Sequence, residues 1–177
     1  MDVIFVRHGL TAWNLAKKIQ GHVDIPLAPE GVRQAERAAE ALRGEPLTVI
    51  YQSPLIRTVQ TADCIARWHP GCPRIDEPRL IERDFGGYEG MARTDFDYAA
   101  IWDYSKNEHW RGAEPVRDCF ARVWSFLDTL KGKEGTALLV SHGGVSVPVK
   151  YYGQDMAGVG CTVAAKLHHG EIYRFTV

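Results

Sequence analysis

The sequence has no excess of either charge, no long apolar run and no closely spaced pair of cysteines. Its 21 Lys and Arg stand against 22 Asp and Glu, a formal net charge of -1. That balance excludes a broad basic face for nucleic acid or anionic lipid, so any anion site has to be local and built from a few placed residues. Cysteines occur only at 64, 72, 119 and 161, without a CxxC pair, which excludes a zinc knuckle or redox dithiol. The apolar runs Val3–Val6 and Ala137–Val140 are far shorter than the ~18 residues of a membrane span. The stretch from Met1 to Arg7 has neither the basic segment nor the apolar length of a signal peptide. The expectation is a reduced, cytoplasmic setting with no nucleic-acid or membrane partner. No repeat, low-complexity tract or linker interrupts the chain.

What is present is ordinary globular material. The 177 residues are 45% hydrophobic and 24% charged, enough to bury a core as one domain over 1–177. Three apolar segments stop abruptly at polar residues. Val3–Val6 runs into Arg7-His8-Gly9, Leu47–Tyr51 into Gln52-Ser53-Pro54, and Ala137–Val140 into Ser141-His142-Gly143-Gly144. Such runs read as buried strands. Between them lies helical spacing. Val32, Ala35, Ala38/Ala39 and Leu42 follow Pro29 and precede Gly44. Leu55, Val59, Ala62 and Ile65/Ala66 follow Ser53-Pro54, a good N-cap and N1 pair. Val116, Phe120, Val123/Trp124, Leu127 and Leu130 are closed by Gly132. The alternation predicts an α/β fold, a three-layer α/β/α sandwich around a mostly parallel sheet. Thr162–Leu167 and Glu171–Val177 read as a closing hairpin or edge strand. The stretch from Phe85 to Trp110 holds seven of the 18 Phe, Trp and Tyr residues. It reads as a small cap insertion at about 85–113 over one end of the sheet, or else as a helix pair packed on the body.

In an open α/β sheet ligands bind beyond the carboxyl ends of the strands. If the three strands are parallel neighbours, that edge collects Arg7, His8, Arg57 and His142. Arg57 falls in the first turn of the helix after Pro54, where a cation opposes the helix dipole unless an anion lies between them. Arg7 at the end of a buried strand likewise needs a partner. Both arginines are forks suited to phosphate oxygens, and both are equally consistent with structural ion pairs to carboxylates. Two histidines beside two arginines suit phosphoryl chemistry better than metal ligation, because the arginines repel a divalent ion. His168-His169 reads as a surface feature of the hairpin, since neighbours on a strand point to opposite faces.

Arg7-His8-Gly9, with Thr11-x-Trp13-Asn14 behind it, resembles the signature of the histidine phosphatase superfamily, in its phosphoglycerate-mutase-like branch. The likeness continues through Gln20-Gly21-x-x-Asp24-x-Pro26-Leu27, Gly31-x-x-Gln34-Ala35 and Ser53-Pro54-Leu55-x-Arg57-x-x-Gln60-Thr61-Ala62. It resumes at Leu80-x-Glu82-x-x-Phe85-Gly86-x-x-Glu89-Gly90 and closes with Val140-Ser141-His142-Gly143-Gly144. Arg-His-Gly alone is a weak signal; the ordered set is a strong one. Departures are Leu10 after Arg-His-Gly, Ala28 for Thr or Ser, Tyr88 for Trp, and Ala113-Glu114-Pro115 for Gly-Glu-Ser. They bear on pocket shape, and none removes a catalytic group.

The resemblance implies a metal-independent enzyme without cofactor, acting on a small phosphorylated substrate and releasing inorganic phosphate. His8 is then the nucleophile that becomes phosphohistidine, with its other ring nitrogen donating to a backbone carbonyl. Arg7, Arg57 and His142 meet the equatorial oxygens, and Glu82 is the proton donor. Asn14, Gln20, Gly21, Gly143, His22 and Tyr88 are the implied binding residues. The short span from Glu82 to the helix near Val116 and the Gln20-Gly21 motif resemble the phosphatase type. The alternatives are phosphoglycerate-mutase-type transfer and a catalytically silent binding module.

Overall fold

A computed structural model describes all 177 residues. Five strands form one sheet: β1 (Asp2–Arg7), β2 (Leu47–Gln52), β3 (Arg74–Asp76), β4 (Thr136–Ser141) and β5 (Ile172–Thr176). Five α-helices accompany them: α1 (Ala12–Leu15), α2 (Pro29–Ala41), α3 (Ile56–Ala66), α4 (Val116–Asp128) and α5 (Gly143–Lys150). The strand order is β3-β2-β4-β1-β5. Every pairing is parallel except that of β1 with the edge strand β5.

The apolar runs are buried on both faces because helices cover both. Ile4 and Val6 of β1 and Leu138 and Val140 of β4 pack with Ala35, Ala38, Leu42, Ala62 and Ile65 of α2 and α3 and the residues that follow. Their alternating neighbours Val3, Phe5, Ala137 and Leu139 meet Val123, Phe126 and Leu127 of α4 and Val145 and Val149 of α5. The period-two alternation of a strand divides each run between two helical layers. The result is the expected three-layer α/β/α sandwich. Cutting Phe5 or Phe126 to Ala would remove a fully buried ring at a cost of about 3–5 kcal/mol.

β4 enters the sheet between β1 and β2, although it comes last of the three in the chain. That insertion is a topological switch point. It brings the carboxyl ends of β1, β4 and β2 side by side, and the ladder continues past them through His8 N–H to Ser141 O at 2.9 Å and Ser53 N–H to Val140 O at 3.0 Å.

Several local expectations are corrected. The helix behind Ser53-Pro54 does not start on that pair: α3 begins at Ile56, and its cap position is Leu55 in extended conformation. Asp24 reaches in from the loop and accepts from Ile56 N–H at 2.7 Å, so it serves the helix entrance that Ser53 was expected to cap. Val32 lies outside the apolar stripe of α2 and is exposed. Thr162–Leu167 is no strand but contains a 3-10 turn over Val163–Ala165, so only the second half of the expected hairpin, β5, joins the sheet. The short elements α1 and β3 have too few apolar residues to announce themselves. The aromatic segment forms 3-10 turns at Gly86–Tyr88 and Ala100–Trp102. Ile101 and Trp102 are buried in a third cluster with Phe120 of α4 and Val147 of α5.

Two motif glycines carry a packing role. A Cβ on Gly9 would collide with the Gly31 carbonyl, and one on Gly31 with the Leu10 carbonyl. Only glycines let the loop after β1 lie directly on the start of α2. Two motif glutamines tie the same loop down: Gln34 Oε1 accepts from Leu10 N–H and Gln60 Oε1 from Leu27 N–H, both at 2.8 Å.

Candidate active site

The strand ends deliver His8 and His142 with ring centroids 5.2 Å apart, edge to face. His8 Nδ1 lies 2.6 Å from the Gly9 carbonyl oxygen. A carbonyl only accepts, so Nδ1 carries the hydrogen and Nε2 keeps a bare lone pair. Burial holds the His8 imidazolium well below the ordinary histidine range, with the charges of Arg57 and Arg7 adding to the effect. The ring is therefore neutral and nucleophilic at neutral pH.

Both arginines converge on this ring, and neither has a carboxylate within ion-pair distance. Arg57 is 1% exposed. Its Nη2 donates to Gly21 O at 2.8 Å, Nη1 to Val23 O at 3.0 Å and Nε to His142 Nδ1 at 3.3 Å. Arg7 donates from Nη1 to Leu167 O at 2.5 Å and from Nη2 to His169 Nε2 at 2.8 Å. Arg7 Nε is buried with no partner. Burial lowers Arg7 to about 10 and shifts Arg57 in the same direction. The reading of these arginines as structural ion pairs is thereby set aside. They are oriented by neutral acceptors, and the one carboxylate that acts on both, Glu82, makes no ion pair with either.

His142 is placed differently from the expectation. Its Nδ1 accepts from Arg57, and its Nε2–H then donates to Ser53 Oγ at 2.7 Å. Burial, followed by the Arg57 charge, keeps it well below the ordinary histidine range. The ring does not line the cavity; it sits behind Arg57 and beside His8. Ser53, read from sequence as a helix cap, is its orienting partner.

The cavity beside His8 has an empty volume of about 380 Å³. Arg7, Arg57, Lys18, Arg93 and Lys166 line it against a single carboxylate, Glu82. Asn14, Gln20, Gly21 and Gly143 are also in its wall. The Thr11 hydroxyl donates to Gln20 Oε1 at 2.8 Å and the Thr11 backbone N–H to Asn14 Oδ1 at 3.1 Å, which leaves the two amide NH2 groups as donors. Glu82 is held from two sides: Oε1 accepts from Arg83 N–H at 2.9 Å and Oε2 from Gly144 N–H at 3.2 Å. A Cβ on Gly144 would collide with that carboxylate, and one on Gly143 would come within 2.7 Å of Arg7 Cζ. The two glycines thus let Arg7 and Glu82 approach the α5 entrance.

His22 and Tyr88 do not line the cavity. His22 Nε2 instead donates to the Glu82 carbonyl at 2.8 Å and steadies that loop. Tyr88 is buried and stacked on Phe96, with centroids 4.3 Å apart. Trp102 is fully buried, and its ring carries the Lys166 ammonium at 3.8 Å.

Lys18, Arg93, Lys166 and His169 all escaped the sequence reading, and the last two are the most enclosed. His169 does not lie idle on a hairpin: it accepts from Arg7, and its ring is 5.5 Å from that of His8. Burial and then the Arg7 charge push it down to about 3. Lys166 is pushed well below the ordinary lysine range by burial, with Arg93, Arg7 and Arg83 adding to the effect. The adjacent pair His168-His169 was the one available signal, because the 168–170 turn folds back over Arg7, with Gly170 N–H donating to Arg7 O at 3.0 Å. Lys166 carried no signal.

Comparison with known proteins bears on the family and the fold. The family model of the histidine phosphatase superfamily (branch 1) matches residues 3–149. A protein of Enterobacter sp. (strain 638) described as "Probable phosphoglycerate mutase GpmB" is 38% identical over 151 residues, covering 81% of this chain and 70% of that one. A protein of the same description from Proteus mirabilis (strain HI4320) is 47% identical over 89 residues. That match spans 50% of this chain and only 41% of the relative. Among solved structures, a phosphoglycerate mutase from Thermus thermophilus superposes with a TM-score of 0.75 at 29% identity, over 98% of this chain and 92% of that one. A structure described as "Mycobacterial hydrolase 1" reaches 0.76 at 26% identity, over 85% of this chain and 79% of that one. The chain belongs to the histidine phosphatase superfamily, a family of phosphatases and phosphoglycerate mutases.

Proposed function

We propose that the protein is a phosphomonoesterase working through a phosphohistidine on His8. The observation that carries this reading is the His8 ring. Its Nδ1–H is fixed on the Gly9 carbonyl, and its free Nε2 is set among arginines that bond to carbonyls and imidazoles and to no carboxylate. In the first step Nε2 attacks phosphorus in line, the P–N bond forms, and the ester P–O bond breaks. Glu82 gives its proton to the departing alkoxide. Arg7 and Arg57 meet the charge on the equatorial oxygens, joined by donors from Asn14 and Gly143 N–H; His142 acts through Arg57. In the second step water attacks phosphorus, Glu82 takes the water proton, the P–N bond breaks, and inorganic phosphate leaves.

Hydrolysis is favoured over transfer because the span from Glu82 to α4 contains only 3-10 turns, a slight cover for keeping a phosphohistidine from water. The mutase reading keeps its own support in the names of the relatives. Substrate is a small phosphorylated metabolite, and the reaction as written needs neither metal nor cofactor. The test is phosphate release from a panel of phosphomonoesters in EDTA, with acid-labile, base-stable label trapped on the protein. Turnover and label that both vanish in His8→Ala support the reading. A protein that turns over no phosphomonoester is a binding module on this fold. Interconversion of 3- and 2-phosphoglycerate, with 2,3-bisphosphoglycerate present, faster than phosphate loss makes it a mutase.

A further inference from the structure

A second cavity adjoins the one beside His8. The two share Asn14 and Arg93 in their walls, and the second is closed on its inner side by His169. Its empty volume is about 840 Å³ against about 380 Å³ for the first. Ala16, at the end of α1, forms one side, and Ala92 and Thr94, at the start of the aromatic segment, form the other. The shared wall matters. His169 bonds to the same Arg7 that faces the phosphoryl site and stands 5.5 Å from the His8 ring, so the second cavity lies against the reacting group, with Asn14 and Arg93 common to both walls.

The surfaces there are flat and small. His169 presents an imidazole that burial and Arg7 hold uncharged. The Arg93 guanidinium covers the Tyr98 ring at 5.2 Å with one face and has no carboxylate partner on the other. The remaining wall is the small side chains of Ala16, Ala92 and Thr94, with Asn14 and Lys17 beside them. Planar groups separated by methyl-sized side chains accommodate an aromatic ring, which gains contact area at little entropic cost. The inner cavity, crowded with cationic groups, takes the phosphoryl group and leaves little room for a bulky alcohol.

We propose that this second cavity is the leaving-group subsite, and that it selects phosphomonoesters whose alcohol carries an aromatic ring. The proposal rests on the phosphomonoesterase reading for its catalytic consequence, though not for its binding consequence. The experiment therefore has two arms. In the first, benzylphosphonate and methylphosphonate, which cannot be hydrolysed at the P–C bond, are titrated calorimetrically. The native protein is expected to bind benzylphosphonate about tenfold more tightly. Thr94→Trp and Ala16→Trp fill the cavity from opposite walls at exposed positions. Each is expected to erase that preference while leaving methylphosphonate within about twofold of native. In the second arm, kcat/KM is compared for benzyl phosphate and ethyl phosphate, with the same preference and the same loss. Equal binding of the two phosphonates by the native protein overturns the proposal, as does equal weakening of both ligands in both variants. Tighter binding of carboxymethylphosphonate than of benzylphosphonate overturns the aromatic class in favour of an anionic one. Discrimination among phosphonates without any hydrolysis leaves the subsite standing and sinks the phosphomonoesterase reading instead.

Discussion

The half-buried Arg122 and the buried pair Arg7 and Arg57 are treated in opposite ways. At the junction of α4 with the 77–83 segment, Arg122 grips Glu114 with two bonds, Nε–Oε1 at 2.6 Å and Nη2–Oε2 at 2.9 Å. Its remaining donors go to the carbonyls of Arg79 and Ile81 at 2.7 and 2.8 Å. At the strand ends Arg57 and Arg7 have carbonyls and imidazoles for partners and no carboxylate at all. A buried cation without an anion is expensive. The first arrangement is complete by itself. The second faces a cavity that can take an anion, and it is the cavity together with the absent carboxylate that marks a binding site, since the fully buried Arg83 also rests on carbonyls, those of Glu114 and Ile101, but lines no cavity beside His8.

The contrast is tested most severely by removing one arginine from each place. Arg57→Ala is expected to lower kcat/KM for any phosphomonoester substrate by about 10²–10³, the scale of losing a preorganised donor to transition-state charge. Steady-state kinetics on the purified variant checks this, and an activity near native would place the anion elsewhere. Arg122→Met strands the Glu114 carboxylate and should cost about 3 kcal/mol of stability, read by urea unfolding. Its kcat/KM should fall far less than that of Arg57→Ala.

Ligand linkage sharpens the same distinction. Inorganic phosphate at a hundred times its dissociation constant should stabilise the native protein by about 2.7 kcal/mol. That gain should survive in Arg122→Met and disappear in Arg57→Ala; a gain retained in both would mean that phosphate binds outside the strand-end site.

The pH dependence tests the histidines of the same site. His8, His142 and His169 all hold a proton less tightly folded than unfolded. Below about pH 6.5 the unfolded chain therefore binds more protons, and stability falls as pH falls. Each of the three contributes a slope of at most about 1.4 kcal/mol per pH unit. For His169 the loss continues down to about pH 3. His169→Gln should flatten the acid limb of a stability–pH profile by one proton, and an unchanged limb would show that the native imidazole titrates normally.

The residues that could be read in advance share a property. Arg7, His8, Ser141 and His142 sit where an apolar run ends, so their arrival at one edge follows from strand burial and the parallel arrangement. The face of α4 was legible for the same reason: Val116, Phe120, Val123 and Leu127 repeat at helical spacing and are all buried. Ser53 was misread because the dipeptide Ser-Pro has the local chemistry of a helix cap, while a partner 89 positions away claims its hydroxyl. Tyr88 and His22 lie near the site in sequence but turn away from it, and Lys166 and His169 arrive from the far end of the chain.

Periodicity and the polar stops behind three apolar runs determined the layers of this protein, the sheet and the edge where chemistry gathers, because strand and helix burial depend on local pattern. Tertiary structure alone decided which charges stay unpaired. Whether Arg57 meets a carboxylate or the carbonyls of Gly21 and Val23 depends on loops closing over tens of residues, and the energy of a buried charge is set by whatever those loops bring within a few ångströms.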